Sequence, residues 1–142
     1  MKAVFIVLLT LSISTQVNAQ DTVFVYLDNE KAAQAIVDPT QINIDLILKK
    51  NLHKRVKSFI VLVYGEHIRG EVYRRDLEIS GDTSIIMRET TNRPGLFDIS
   101  QSDTKKKLLA GKTLKLYLVM NPANPQMMIP SKRVYLGNLV MN

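Results

Sequence analysis

Along most of the chain, apolar and polar residues alternate with a period of two, and turn-forming residues interrupt the alternation at short intervals. "TVFVYL" (22–27) is β-branched and aromatic, a composition that suits pleated surfaces. In "QINIDLILKK" (41–50), Ile42, Ile44, Leu46 and Leu48 point to one face, while Asn43, Asp45 and Lys49 point to the other and Ile47 intrudes among them. "VKSFIVLVYG" (56–65) is apolar on both parities, which predicts a central strand covered on both sides. "GEVYRRDLEIS" (70–80) sets Tyr73, Leu77 and Ile79 on one face with Arg75 among them, and Val72, Arg74, Asp76 and Glu78 on the other. After the turn at Ser80–Asp82, "TSIIMRE" (83–89) predicts another strand, and "TTNRPG" (90–95) breaks the chain before "LFDI" (96–99). "KTLKLYLVM" (112–120) repeats the clean alternation, with Leu114, Leu116, Leu118 and Met120 inward and Lys115 and Tyr117 outward. "RVYLGNLVM" (133–141) closes the series.

One segment departs from the strand period. "SQSDTKKKLLAG" (100–111) opens with capping residues and ends on Gly111, which predicts a short helix. Many short strands, regular turns and a single short helix predict an all-β domain: one immunoglobulin-like antiparallel β-sandwich of about seven strands, with a small β-barrel as the alternative. Immunoglobulin-like describes architecture only, because the chain has no cysteine and no tryptophan to supply the disulfide and core indole of antibody domains.

The first 19 residues carry a different pattern. Lys2 provides a positive start, Ala3–Ile13 an apolar stretch of 11 residues and Val17–Ala19 a small-residue exit. That order predicts a secretory signal peptide over 1–19, cleaved before Gln20. The apolar stretch is well short of the roughly 20 residues a helix needs to cross a bilayer. The sandwich is then expected over 20–142, with no transmembrane segment after cleavage. Loss of Lys2 with the leader lowers the formal net charge from +6 to +5.

Composition narrows the expectation further. Without cysteine there is no disulfide, no thiol nucleophile and no thiolate metal site. The chain also holds no Asn-x-Ser/Thr sequon. Together these features point to a bacterial cell envelope, with the protein periplasmic or extracellular. The positive charge is spread over 49–57, 69–75 and 105–107 with no exposed aromatics interleaved, so nucleic acid is not expected as a partner.

Two stretches stand out as contact surfaces. Lys49, Lys50, His53, Lys54 and Arg55, followed by Lys57, concentrate positive charge that would attract an acidic partner. They would crown a hairpin tip if the strand at 41–50 paired with the one at 56–65. The same residues could equally be a solubilising turn that guards strand ends. "NPANPQMMIPSKR" (121–133) is stiffened by three prolines and offers Met127 and Met128 as adaptable apolar surface. In a seven-strand sandwich the second-to-third and last-two connections share one end, so the basic and methionine tips would form a composite surface.

Chemistry is less well supported. No G-x-S-x-G, H-E-x-x-H or phosphate-binding glycine loop occurs, and "GEHIRGE" (65–71) reads as a polar strand end rather than an acid–base cluster. No catalytic residue, resident metal or cofactor is therefore expected. Asp28, Asn29 and Glu30 lack the ligand spacing of a calcium loop. The expected function is a non-enzymatic envelope binding module whose partner is a protein or an acidic surface polymer. The alternatives are a periplasmic copper-type protein using His53, His67, Met120, Met127 and Met128, and a strand-addition adhesin or chaperone-like component.

Overall fold

The computed structural model describes residues 20–38, 40, 44–48, 56–81, 84–88, 93–101 and 113–141. These residues form nine strands: β1 (Asp21–Leu27), β2 (Glu30–Val37), β3 (Asp45–Leu48), β4 (Phe59–Tyr64), β5 (Tyr73–Ser80), β6 (Ser84–Arg88), β7 (Leu96–Asp98), β8 (Thr113–Pro122) and β9 (Lys132–Met141). A single 3-10 turn, Glu66–Ile68, follows β4. The first sheet has the order β2-β1-β4-β7 and the second β3-β9-β8-β5-β6. The two pack face to face as a β-sandwich, and each sheet keeps two edges, so there is no closed barrel.

The alternating parities dictate this packing. Val23, Val25, Phe59, Val61, Val63 and Phe97 from the first sheet meet Leu46, Leu48, Leu77, Ile79, Leu116 and Leu118 from the second, all fully or almost fully buried. Arg75 shares the inward parity of Leu77, as its position in the strand predicts. The strand arrangement fits the immunoglobulin plan. β4 and β7 pair as the B and E strands do, and β9-β8-β5-β6 follows the G-F-C-C′ order.

Two features differ from the expected seven-strand antiparallel form. β2 is an additional strand, folded back on β1 through a two-residue turn in which Asp28 and Asn29 both adopt positive φ (51° and 67°). Such left-handed pairs match the twist of a tight hairpin, and Asp and Asn tolerate them better than most residues. β3 runs parallel to β9, with Asp45 opposite Asn138 and Leu48 opposite Met141, so the second sheet is mixed. The helix expected over 100–111 lies almost wholly outside the described residues.

The expected hairpin between the strands at 41–50 and 56–65 does not form. β3 belongs to the second sheet and β4 to the first. Lys49, Lys50, His53, Lys54 and Arg55 lie outside the described residues, but the chain on either side of them is placed. Leu48 pairs with Met141 at the far end of β9. The Lys57 and Ser58 N–H groups donate to Asp28 Oδ1 at 2.7 and 2.9 Å, beside the β1–β2 turn. Both flanks are at the end of the sandwich remote from the β8–β9 loop that carries Met127 and Met128. The composite surface expected of the basic and methionine tips rested on that hairpin, and β3 instead joins the second sheet beside β9.

Candidate functional site

The connection that neighbours the β8–β9 loop is 65–72, between β4 and β5. The Ala123 N–H donates to the Val72 carbonyl at 2.8 Å, and the Tyr73 hydroxyl reaches the Pro130 carbonyl at 3.5 Å. Lys132 lies over the Tyr73 ring, 5.4 Å from its centroid. In immunoglobulin terms these are the B–C and F–G loops, which share one end of the sandwich. "GEHIRGE", read in sequence as a polar strand end, thus occupies the place beside the methionines.

Loop 65–72 is held from below by one side chain. Arg75 is only 3% exposed and points inward from β5. Its Nε donates to the His67 carbonyl at 2.6 Å, and its Nη2 to the Arg69 and Gly70 carbonyls at 2.9 Å each. Its Nη1 reaches the Tyr73 carbonyl at 3.3 Å. A planar guanidinium suits this task because its donors form a rigid fork, which a lysine ammonium cannot reproduce. A buried cation would be costly without partners; four carbonyl oxygens supply them here.

A second clamp acts from the side. Asp21, 2% exposed at the start of β1, accepts the His67 backbone N–H at 3.1 Å through Oδ1 and pairs with His67 Nδ1 through Oδ2. Gly65 permits this approach. It sits at φ +150°, and a Cβ there would come 2.2 Å from Asp21 Oδ1, so only glycine fits. The Asp21–His67 pair has the form of a catalytic base and its orienting carboxylate. Its hydrogen bonds among the described residues run from the His67 backbone N–H and Nδ1 to the Asp21 carboxylate. Its visible consequence is to fix the loop.

On this braced base stand exposed apolar side chains. Met127 and Met128 project from the β8–β9 loop, Met128 fully so, and Val72 is also exposed. Tyr64, at the last position of β4, is 67% exposed beside them in the chain's path. The Met127 N–H donates to the Asn124 carbonyl and the Gln126 N–H to Asn124 Oδ1, both at 3.0 Å, so the tip is a folded turn. Met120, by contrast, is buried in the core. Of the other residues of the copper-type set, His67 is engaged by Asp21, and His53 lies outside the described residues. Among the described residues no group of three or more His, Asp or Glu is placed to hold a metal ion. No helix in them is long and apolar enough to cross a membrane.

The outer faces of the two sheets also differ. On the second sheet Arg133 stacks on the Tyr117 ring at 3.6 Å and pairs with Glu78 at 2.8 Å, while Ser80 Oγ donates to the same Glu78 oxygen at 2.8 Å. These hydrogen bonds, Arg133 first and Ser80 second, hold the Glu78 carboxyl below its ordinary 4.5. On the first sheet the outward positions of β1, β4 and β7 hold Phe24, Tyr26, Ile60, Leu62 and Leu96, all half-buried, and Tyr64. The strand at 56–65 is thus central in its sheet, and its outward residues Ile60, Leu62 and Tyr64 do not join the core formed by the described residues. A doubly apolar run reads the same whether its second face meets a layer of its own chain or a surface left open.

In comparison with known proteins, no family model, curated protein or solved structure matches this chain.

Proposed function

We propose that this chain is an exported, non-catalytic binding module of the bacterial envelope, and that it holds a protein partner at the end formed by loops 65–72 and 123–131. One observation carries the reading: Val72, Met127 and Met128 are exposed together on loops that the chain otherwise braces heavily from beneath. Bracing limits the ordering cost of association, while methionine supplies a soft contact that adapts to a partner's shape. The projecting groups are apolar, which favours a protein surface over an acidic polymer. The leader at 1–19 supports export, and the absence of cysteine accords with a core that must suffice alone.

The test is site-specific photocrosslinking in intact cells. A benzophenone side chain at position 128 is expected to give one discrete protein adduct, and the same group at Lys115, on the outer face of the second sheet, none. Combining Val72→Ser and Met127→Ser should diminish the adduct at 128 without unfolding the chain. Adducts of equal strength at both positions, or none at 128, would contradict the assignment.

A further inference from the structure

The outer face of the first sheet is laid out in three rows across the strands. Nearest the loop end lie Ile36, Thr22 and Tyr64; next come Gln34, Phe24, Leu62 and Leu96; last come Lys31, Tyr26, Ile60 and Asp98. The middle of the face is apolar, with Phe24 and Tyr26 stacked at 6.3 Å. The third row ends in a cation on the β2 edge and an anion on the β7 edge. Both are exposed.

From this layout we propose that the face is the interface of a homodimer, with two copies stacked sheet on sheet about a two-fold axis parallel to the strands and lying between β1 and β4. Such a rotation keeps the strand direction and reverses the strand order. β2 of one copy then lies over β7 of the other, and β1 over β4. Phe24 meets Leu62 of the second copy, Tyr26 meets its Ile60, and Lys31 meets its Asp98; symmetry repeats every pair. Charge selects this axis. A two-fold perpendicular to the strands would instead set Lys31 against Ile36, desolvating the cation with no return, and would give Asp98 no opposite charge.

The free edges do not offer an equally good route. β2 is the longest open edge of the first sheet, but it carries a bulge where the register shifts opposite Val25 and Tyr26, and Lys31 stands beside it. Bulges and edge lysines oppose strand addition. β7 has only three residues.

The area sets the strength. Four strands spaced about 4.8 Å apart and three rows about 7 Å apart give a flat face of roughly 300–400 Å² per copy. Over two copies that is roughly 600–800 Å², well below a standard protein–protein interface, so association is expected to be weak, in the micromolar range or above. The parallel axis also sends both loop ends to the same side. If those loops hold the partner proposed above, the dimer is bivalent; the dimer itself does not depend on that reading.

Sedimentation equilibrium on the chain expressed with its own leader and purified after processing tests the proposal. The wild type should pass from monomer to dimer across the micromolar range. Leu62→Lys should be monomeric throughout while keeping its circular dichroism and melting cooperativity. Lys31→Glu should weaken the dimer roughly tenfold, because it sets like charges opposite each other twice. Adding Asp98→Asn, which keeps the oxygen that accepts from Ser100, should recover much of that loss. Arg133→Glu, on the other sheet, should leave association unchanged. A wild type that stays monomeric, a dimer that survives Leu62→Lys, or one indifferent to Lys31→Glu would overturn the proposal.

Discussion

The two outer faces of this sandwich are built on the same pleat and are equally free of covering strands among the described residues, yet their chemistry is opposed. On the second sheet, polar groups answer one another: Arg133 with Glu78 and Tyr117, Ser80 with Glu78, and Asn138 Nδ2 with Asp45 Oδ1 at 3.0 Å. On the first, Phe24, Tyr26, Ile60 and Leu62 stand side by side as a half-buried apolar cluster. The second sheet pairs several of its outward polar groups, although buried Asp76 keeps one carboxylate oxygen without a hydrogen bond among the described residues and Ile47 and Ile86 stand exposed there. The first sheet sets its apolar side chains next to one another across β1 and β4, with no charged residue between them. The contrast is one of arrangement: apolar side chains are contiguous on the first sheet and interspersed with paired charges on the second.

The largest effect that could break this contrast lies on neighbouring parities. Leu118→Ala, inward on β8, should cost about 2–5 kcal/mol in urea unfolding, because it leaves a cavity in the core. Leu62→Ala, outward on β4, should cost about 1 kcal/mol or less when measured below the concentration of self-association. Equal losses would mean that the outer face of the first sheet is packed within the monomer.

Two arginines sharpen the same point within the second sheet. Arg75→Leu should cost about 2–3 kcal/mol, since carbonyls buried around it lose their donors. It should also raise hydrogen exchange selectively in 65–72. Arg133→Leu, exposed on the outer face, should cost far less. A double-mutant cycle with Glu78→Gln should return a coupling of similar or smaller size that shrinks with added salt.

The smallest effect is a dependence on pH. Glu78 is held below its ordinary 4.5 by Arg133 and Ser80, so its carboxylate favours the folded state at pH values above that figure. The contribution fades as pH falls through the lowered value. Melting temperatures of the wild type and Glu78→Gln should therefore differ at neutral pH and converge in acid. A constant difference down to pH values where Glu78 is protonated would assign the effect to packing instead.

The sandwich was legible where burial imposes a period. Leu46 and Leu48, and then Leu114 to Met120, fall inward as their alternation predicts, and Ile47 is exposed as the intruder in its pattern. β2 was not legible, because "EKAAQAIV" is rich in alanine and low in strand propensity; it becomes a strand by folding onto the open edge of β1. The pairing of β3 with β9 joins segments more than ninety residues apart, and local pattern carries no information about such a partner. Met127 and Met128 were legible as an exposed tip, and their neighbours were not. The Arg75 clamp works through backbone carbonyls, which no side-chain motif records. The openness of β4 was hidden for another reason, since apolar residues on both parities describe a buried strand and a contact strand equally well.

The measurement that tests this account most directly is hydroxyl-radical footprinting of the processed chain at low and at high micromolar concentration. Aromatic rings stand on both outer faces, so each reports on its own sheet. The account predicts that Phe24, Tyr26 and Leu62 lose reactivity as concentration rises, while Tyr117 and Tyr135 keep theirs. Unchanged reactivity on the first sheet, or equal protection of both sheets, would contradict it.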